Sequence, residues 1–203
     1  MARVQQLLEQ HTVDVATPAQ LPAADSQRVA ALRESGLLAD TARQALDRAA
    51  RRAAEVFDMP LALVTLVDER VQYVGGVSGS IPGTAQRGPP NLSMPRELSI
   101  CGHVVSDATT VMVEDVARDP RFADNTELRD KGVRFYAGAP LRNPEGLVFG
   151  ALCLLDNKPR TLHERELQLL ESMAVDLMTE FNDEGAESGV DSSSAQSEVA
   201  SRD

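Results

Sequence analysis

The segment SICGH places Cys101 and His103 two positions apart, and side chains of these types at this spacing can support chemistry. A histidine can activate a cysteine nucleophile as its base, and the same pair can supply half of a metal site. If the segment begins a helix, the positive end of the helix dipole also favours the thiolate. We nevertheless favour a buried structural cysteine beside an ordinary histidine. A metal site is not expected, because no further Cys/His pair completes a zinc quartet.

A second set of charged side chains lies in the stretch DVARDPRF, where Arg121 follows Asp115 and Asp119. A guanidinium held between carboxylates can present its parallel donors to a carboxylate or phosphate ligand. The alternative is an internal salt bridge that holds this segment against a sheet. We slightly favour the salt bridge, because an acidic neighbour partly neutralises the arginine.

Tyr136 occupies another position that could face a ligand. It alternates with Phe135 along a predicted strand, so its side chain can share one face of a sheet with Arg134 and Gly138. A tyrosine that lines a cavity and a core aromatic with a hydrogen-bonded hydroxyl both fit this pattern.

The sequence shows no assembled catalytic set. Gly75, Gly76 and Gly79 lack the Lys-Ser/Thr pair and the strand–helix context of a phosphate-binding loop. His163 and Glu164 lack the second histidine of a zinc-protease helix, and no serine lies in a nucleophile elbow. The sequence therefore predicts a binding protein rather than an enzyme.

Hydrophobic periodicity and turn residues predict the elements that position these side chains. Helices are expected over 25–38 and 41–57, and strands are expected over 61–67, 71–77, 111–113, 133–140 and 147–155. Residues 78–93 form a long loop rich in Gly, Pro and Ser, and 100–105 fits either a helix or a strand. This order predicts an α+β fold, an α/β sandwich in which the terminal helices pack on one face of an antiparallel sheet of about five to six strands.

The last predicted helix, 162–181, carries the strongest pattern. Thr161 and Glu164 match a capping box. An apolar seam recurs at intervals of three and four residues, and it comprises Leu167, Leu170, Ala174, Leu177 and Phe181. The seam can pack on the core or against a second chain. Together with the Ala-rich helix 41–57, it predicts a parallel homodimer through a four-helix bundle.

Composition and charge limit the partners. The chain has 203 residues and a formal net charge of −11, so neither nucleic acid nor an anionic membrane is an expected partner. Two cysteines suit a reduced compartment, and no signal sequence or membrane-spanning run is visible, so the predicted location is the cytoplasm. Composition also predicts a partly disordered segment over 1–24, a folded domain over 25–182 and an acidic disordered tail over 183–203.

Seven segments, in order, resemble the GAF family, in the subgroup that accompanies bacterial histidine kinases, cyclases and phosphatases. The segments begin with ALR…LADT over 31–41 and PLALVTLVD over 60–68. The others are SICGHVV at 99–105, VED at 113–115, DPRFADN at 119–125, RFYAGAPL at 134–141 and GALCLLD at 150–156. On this resemblance, 25–182 is a GAF-like sensor domain.

The resemblance implies a ligand cavity in front of the sheet, with the long helices behind it. The residues predicted to line this cavity are Thr65, Tyr73, Cys101, His103, Asp115, Arg121, Phe122, Tyr136 and Gly138. The ligand and any cofactor stay undetermined, because GAF domains bind cyclic nucleotides, haem, bilins or small metabolites. A bilin is not expected, because bilin-binding relatives place a histidine directly after the cysteine, whereas Gly102 intervenes here. Relatives also carry an aromatic-rich second strand where this sequence has VQYVGG.

The predicted function is therefore regulatory. The chain is expected to bind a small ligand or a partner, and to act through a separate output protein such as a kinase, cyclase or phosphatase. Two alternatives remain. One is a thiol-dependent reductase of free methionine sulfoxide that uses Cys101 and Cys153, and the other is a protein-interaction subunit without a ligand.

Overall fold

The computed structural model describes residues 23–80 and 93–190, with side chains placed from 25 to 80 and from 93 to 183. Its strands are β1 (Leu61–Val67), β2 (Val71–Gly79), β3 (Ser93–Pro95), β4 (Val111–Val113), β5 (Phe135–Arg142) and β6 (Val148–Asp156). Its α-helices are α1 (Ala23–Glu34), α2 (Arg43–Val56), α3 (Ile100–Asp107), α4 (Thr126–Asp130) and α5 (Glu164–Val190). Short 3-10 turns cover Asp40–Ala42 and Arg96–Leu98.

One antiparallel sheet holds all six strands in the order β3-β2-β1-β6-β5-β4. The central strands β1 and β6 are almost wholly buried, which explains their continuous apolar sequences. The predicted α+β fold with an antiparallel sheet is confirmed. The edge strand β3 was not predicted and begins at the last residue of the predicted loop 78–93, because three residues ending in Pro95 are too few to show a strand pattern.

The two faces of the sheet carry separate cores. On the back face, α1, α2 and α5 pack against one set of strand residues, which includes Val64, Phe135 and Leu154. On the front face, α3, α4 and the segment 114–134 pack against the alternate residues, which include Leu63, Tyr136 and Cys153. The terminal helices therefore share the back face of the sheet, as predicted. The front face carries the residues that are candidates for a functional site.

Gly76 explains why the second strand departs from the aromatic-rich pattern. A Cβ on Gly76 would overlap the backbone carbonyl of Leu46, so α2 lies directly on β2 only because this position has no side chain. The Asp47 carboxylate also accepts a hydrogen bond from the Val77 N–H at 2.8 Å. The small residues of β2 thus seat the long helix close to the sheet.

The N-terminus of α5 differs from the predicted capping box. The helix begins at Glu164, and the Glu166 carboxylate accepts a hydrogen bond from the His163 N–H at 2.7 Å. The His163 carbonyl accepts the first helical hydrogen bonds, from Glu166 and Leu167. The cap therefore lies two residues after Thr161, and its reciprocal carboxylate is Glu166 rather than Glu164.

The apolar seam of α5 packs inside the single chain. Leu170, Ala174 and Leu177 are buried, and the end residues Leu167 and Phe181 pack against the same core. The middle of the seam is therefore covered by the core of its own chain, and the homodimer through helices 41–57 and 162–181 stays a prediction. The helix continues to Val190, eight residues past the predicted domain boundary at 182.

Parts of the predicted domain organisation lie outside the described residues. These parts are 1–22 of the N-terminal segment, 81–92 of the long loop and 191–203 of the acidic tail. Over the part that is described, no helix is both long enough and apolar enough to cross a membrane.

Candidate functional site

Two cysteines from distant parts of the chain meet on the front face of the sheet. Cys101 lies in the first turn of α3 and Cys153 lies in the middle of β6, and their Sγ atoms are 3.5 Å apart. Both side chains are free thiols and both are buried. The Tyr136 hydroxyl donates to Cys101 Sγ at 3.2 Å and lies 3.6 Å from Cys153 Sγ. Thr65 Oγ1 lies 3.7 Å from Cys153 Sγ, so the four side chains form one buried polar cluster.

The strand register builds this cluster. Gly138 of β5 lies directly opposite Cys153 of β6. Tyr136 lies two residues before Gly138 and on the same face, so its ring extends over the glycine. A Cβ on Gly138 would overlap the Tyr136 hydroxyl, and the missing side chain is what lets the hydroxyl reach the thiols. On the other side of β6, Thr65 lies opposite Ala151 and donates to its carbonyl at 3.3 Å.

Burial and hydrogen bonding shift the pKa values of the two thiols in opposite directions. Burial alone would raise the pKa of the Cys101 thiol, but hydrogen bonds from Cys153 and Tyr136, among others, outweigh it and lower this pKa to about 7. Burial raises the pKa of Cys153 well above its ordinary value of 9.0, and the adjacent Cys101 raises it further. Burial beside the two sulfurs also raises the pKa of Tyr136. Cys101 is therefore the member of the pair that ionises first.

His103 belongs to a different cluster from the neighbouring Cys101. Its ring meets the Phe122 ring edge-on, with the centroids 5.0 Å apart. The Arg121 guanidinium lies over the Phe122 ring, 4.9 Å from its centroid. The same guanidinium donates to both carboxylate oxygens of Asp119, at 3.0 and 2.7 Å. In the described part of the chain, no hydrogen bond joins His103 to Cys101. The histidine is therefore not placed as a base for this cysteine.

Arg121 makes a salt bridge with Asp119, two positions before it in the same segment, so this pair does not hold the segment against the sheet as the favoured alternative expected. The hydrogen bonds from Arg121 lower the pKa of Asp119, and this carboxylate already uses the Nε and Nη2 donors of the arginine. Asp115 is paired with a different arginine, Arg134, which donates to both of its carboxylate oxygens at 2.9 and 2.8 Å. The two acids of the DVARDPRF stretch therefore hold separate arginines.

Tyr73 lies away from the rest of the predicted set. It is opposite Leu66, whose side chain packs in the back core, whereas Thr65 lies on the front face. A bulge in β2 shifts the register between Val64 and Thr65, and a one-residue shift moves each following side chain to the opposite face. The structure thus brings Thr65, Cys101, Tyr136 and Gly138 together and places Tyr73 elsewhere.

A groove of about 870 Å³ opens at the end of the sheet where β4 ends and β5 begins. We call it the arginine groove, because three arginines line it, namely Arg118, Arg134 and Arg160. Acidic residues lie among them and hold each arginine by its Nε atom. Within the described residues, no hydrogen bond occupies Nη1 of Arg134 or either terminal nitrogen of Arg118 and Arg160. These nitrogens can donate to a carboxylate or phosphate group.

The predicted cavity lining included neither Cys153 nor these three arginines, and Cys153 was named only for the reductase alternative. For Cys153 a signal was available, because alternation along GALCLLD places it on one face with Ala151 and Leu155. No comparable local signal marks the arginine groove, which combines residues from three separate segments. Within the described residues, no group of three or more His, Cys, Asp or Glu side chains could hold a metal ion.

Comparison with known proteins identifies the family. The sequence profile of the GAF domain matches residues 41–181, and the chain belongs to the GAF domain family. A cyclic di-GMP phosphodiesterase of Pseudomonas aeruginosa is 33% identical over 162 residues, which make up 79% of this chain and 26% of that protein. The chain therefore spans about a quarter of the length of this relative.

Solved structures share the fold. The GAF domain of an Acinetobacter phosphoenolpyruvate-protein phosphotransferase superposes with a TM-score of 0.55 at 15% identity, over 83% of this chain and 99% of that chain. A type II free methionine-R-sulfoxide reductase from Thermoplasma acidophilum superposes with a TM-score of 0.56 at 13% identity, over 71% of this chain and 94% of that chain. At these identities the similarity establishes the fold alone.

Proposed function

We propose that this chain is a regulatory signal-transduction module that binds a small anionic ligand in the arginine groove and acts through a separate output protein. The observation that carries the proposal is the set of terminal guanidinium nitrogens around one open groove to which no residue of the described part of the chain is hydrogen-bonded. A carboxylate or phosphate suits these donors, because the arginine fork matches the spacing of two oxygen atoms.

The position of the groove supports a regulatory role. Pro159, Arg160 and Thr161 line it, and these residues lead directly into α5. A ligand in the groove would contact the segment that sets the start of this helix. The output protein is proposed by analogy with the Pseudomonas relative, in which a segment similar to this chain forms about a quarter of a cyclic di-GMP phosphodiesterase.

Thermal unfolding tests the ligand class. The probes are inorganic phosphate, succinate and cyclic di-GMP, each compared with sodium chloride at the same ionic strength. A ligand at about 100 times its Kd adds about 2.7 kcal/mol to the folded state, which raises the Tm of a domain of this size by about 5–10 °C. If no probe raises the Tm more than sodium chloride does, an anion site is excluded and the protein-interaction alternative is favoured.

A pair of variants locates the effect in the groove. Arg118 is 87% exposed, so Arg118→Gln should leave the fold intact and weaken the response to the active probe. Arg70 lies in the β1–β2 turn and is 67% exposed, so Arg70→Gln removes the same charge outside the groove and should respond like the wild type. Equal responses of the two variants would place the binding elsewhere.

A homodimer remains part of the proposal, through a different surface from the seam. Leu169 and Val175 of α5 are 45% and 59% exposed, and their six-residue spacing places them about 120° apart around the helix, on the two flanks of its outer side. Both are apolar residues on the solvent side of a helix whose inner side is already packed. This surface is the one that a second copy of the chain would cover.

A thiol reductase is the second candidate, and the adjacent Cys101 and Cys153 are the observation that favours it. The two side chains are only 5% and 0% exposed, so a substrate such as free methionine sulfoxide must displace α3 to reach them. We therefore expect no steady-state reduction of free methionine sulfoxide in the presence of dithiothreitol. A robust rate that Cys101→Ser abolishes would replace the regulatory function with an enzymatic one.

A further inference from the structure

The two cysteines are separated by 52 positions in the sequence, yet their sulfur atoms are 3.5 Å apart. A disulfide bond requires about 2.0 Å between the sulfurs, so an approach of about 1.5 Å would join them. We propose that Cys101 and Cys153 form an oxidation site, at which a hydroperoxide converts the two thiols into an intramolecular disulfide. This site is separate from the arginine groove and gives the module a second input.

The required movement belongs to α3 rather than to the sheet. Cys153 lies in a central strand, with Leu63 opposite it on one side and Gly138 on the other, so its position is fixed by two ladders of hydrogen bonds. Cys101 lies on a helix of eight residues that rests on the front face of the sheet. A short displacement of this helix toward β6 closes the distance without disturbing a strand.

Cys101 is the sulfur that attacks the oxidant. It lies in the first turn of α3, where Ser99 caps the helix by accepting a hydrogen bond from the Gly102 N–H at 3.1 Å. The Tyr136 hydroxyl donates to the same sulfur and stabilises its negative charge. Cys153 lies in the middle of β6, where burial raises the pKa of its thiol, so it keeps its proton and acts as the resolving thiol.

The reaction balances with the hydroperoxide as the two-electron oxidant. The Cys101 thiolate attacks the terminal oxygen, the O–O bond breaks, and the products are a sulfenic acid and an alkoxide that takes up the proton lost by Cys101. Cys153 sulfur then attacks Cys101 sulfur, the S–O bond breaks, and the released hydroxide leaves as water with the Cys153 proton. Two thiols and one hydroperoxide thus give a disulfide, an alcohol and water. With hydrogen peroxide, the alcohol is a second water.

Burial selects small oxidants. Because Cys101 is 5% exposed and Cys153 is fully buried, a protein thiol or glutathione disulfide cannot approach the sulfurs in this conformation. A peroxide needs only a transient opening above α3. The oxidant class is therefore a small hydroperoxide rather than a disulfide exchanger.

Oxidation would also reach the N-terminal helix. The turn before α3 carries Arg96, whose carbonyl accepts from the Ser99 N–H at 3.1 Å. The Arg96 guanidinium donates to both carboxylate oxygens of Asp25 in α1, at 2.7 and 3.0 Å. A displacement of α3 toward β6 would therefore also move Arg96 relative to Asp25. In this way the redox state of the two cysteines would affect the position of α1.

Thiol trapping tests the proposal on the full chain. The reduced protein is treated with hydrogen peroxide, quenched with catalase, unfolded in urea and alkylated with N-ethylmaleimide before intact mass spectrometry. We expect loss of both alkylation sites and a mass lower by two hydrogen atoms, and dithiothreitol should restore both sites. Two retained alkylation sites in the wild type would overturn the proposal, as would disulfide-linked dimers on a non-reducing gel.

Variants and an unfolded control separate a built site from chance oxidation. Cys153→Ser should accumulate a Cys101 sulfenic acid that dimedone traps, whereas the remaining thiol of Cys101→Ser should stay alkylatable. If the chain oxidises as fast in urea as in the folded state, the fold does not promote the reaction and the proposal fails. The wild-type comparison needs no variant, so the test stands even if a substitution prevents folding.

Discussion

The ring of Tyr136 lies over Gly138, and its hydroxyl occupies the space that a side chain at residue 138 would take. The two residues are neighbours on the front face of β5, and Gly138 is opposite Cys153. This glycine therefore decides whether the hydroxyl reaches the thiols. A bulkier residue would force the tyrosine out of the cluster or push β5 away from its packing.

Gly138→Ala should destabilise the fold by about 1–3 kcal/mol, which is typical of overpacking in a close-packed core. Urea unfolding of the two proteins measures the difference. The control is the double variant with Tyr136→Phe, which removes the hydroxyl that the new Cβ meets first and should recover part of the loss. Strictly additive effects of the two substitutions would show that they do not share this space.

Arg28 should contribute much more to stability than the nearby Arg33. Arg28 is 5% exposed, donates to the Val67 carbonyl and pairs with Asp25 at 2.8 Å, so Arg28→Ala leaves a half-buried carboxylate and a buried carbonyl with fewer partners. We expect a loss of about 1–3 kcal/mol, as for other buried groups that lose a hydrogen-bond partner. Arg33→Ala removes an exposed partner of Asp68 and is the matched control, for which little change is expected. Similar losses of stability in both variants would contradict the expectation that the buried Arg28 contributes more than the exposed Arg33.

The pH dependence of stability should show the contribution of Asp25. Burial acts to raise its pKa, but hydrogen bonds from Arg96 and Arg28 outweigh burial and lower the pKa below the ordinary value of 3.8. The folded state thus holds the charged form more strongly than the unfolded state does. The contribution is present above pH 3.8 and is lost as the pH falls through the lowered folded value.

Urea unfolding of the wild type and Asp25→Asn over a pH series from neutral to below 3.8 measures this contribution. The stability gap between the two proteins should narrow toward the acid end of the series. A gap that stays constant with pH would show that the ion pair does not depend on the charge of Asp25.

Glutamate substitutions on the two sides of α5 should have opposite outcomes. Leu177 is 4% exposed, so Leu177→Glu buries a charge in the back core and should unfold the domain. Val175 is 59% exposed, so Val175→Glu should keep the fold and dissociate a dimer formed through the outer side of the helix. Circular dichroism and sedimentation velocity report the two properties. A wild type that sediments as a monomer at high concentration would remove the dimer from the proposal.

Alkylation should distinguish the two thiols of the native protein. The pKa of Cys101 is lowered to about 7 and that of Cys153 is raised, so iodoacetamide should modify Cys101 first, at a rate that increases as the pH rises through this value. Tyr136→Phe removes a donor to the Cys101 thiolate and should move the profile to higher pH. Peptide mapping identifies the modified residue. Preferential modification of Cys153 would reverse the assignment.

The sequence was sufficient for features that depend on nearby residues. The apolar runs of β1 and β6 predict their strands, and the three- and four-residue spacing of Leu170, Ala174 and Leu177 predicts α5. The pairing of Arg121 with Asp119 is similarly local, because the residues are two positions apart. Each of these features follows from periodicity or short-range spacing.

Features that depend on strand register could not be predicted. The contact between Cys101 and Cys153 needs α3 to cross β6 at one position, and alternation alone assigns a face but no partner. Tyr73 lies on the back face of the sheet rather than in the predicted cavity, because one bulge shifts the register of β2 by a residue. The Arg134–Asp115 pair joins residues 19 positions apart, and the groove beside it exists only once β4 and β5 are paired.

The length of α5 would turn a small movement at the arginine groove into a larger displacement at the far end of the helix. The helix has 27 residues and extends about 40 Å at 1.5 Å per residue. The helix begins just after the groove, and its seam packs against the core as far as Phe181, nine residues before Val190. A tilt of about 5° at the groove end would swing the far end by about 3.5 Å, given this length. A ligand that tilts the start of the helix only slightly would therefore move the end of the helix by a larger distance.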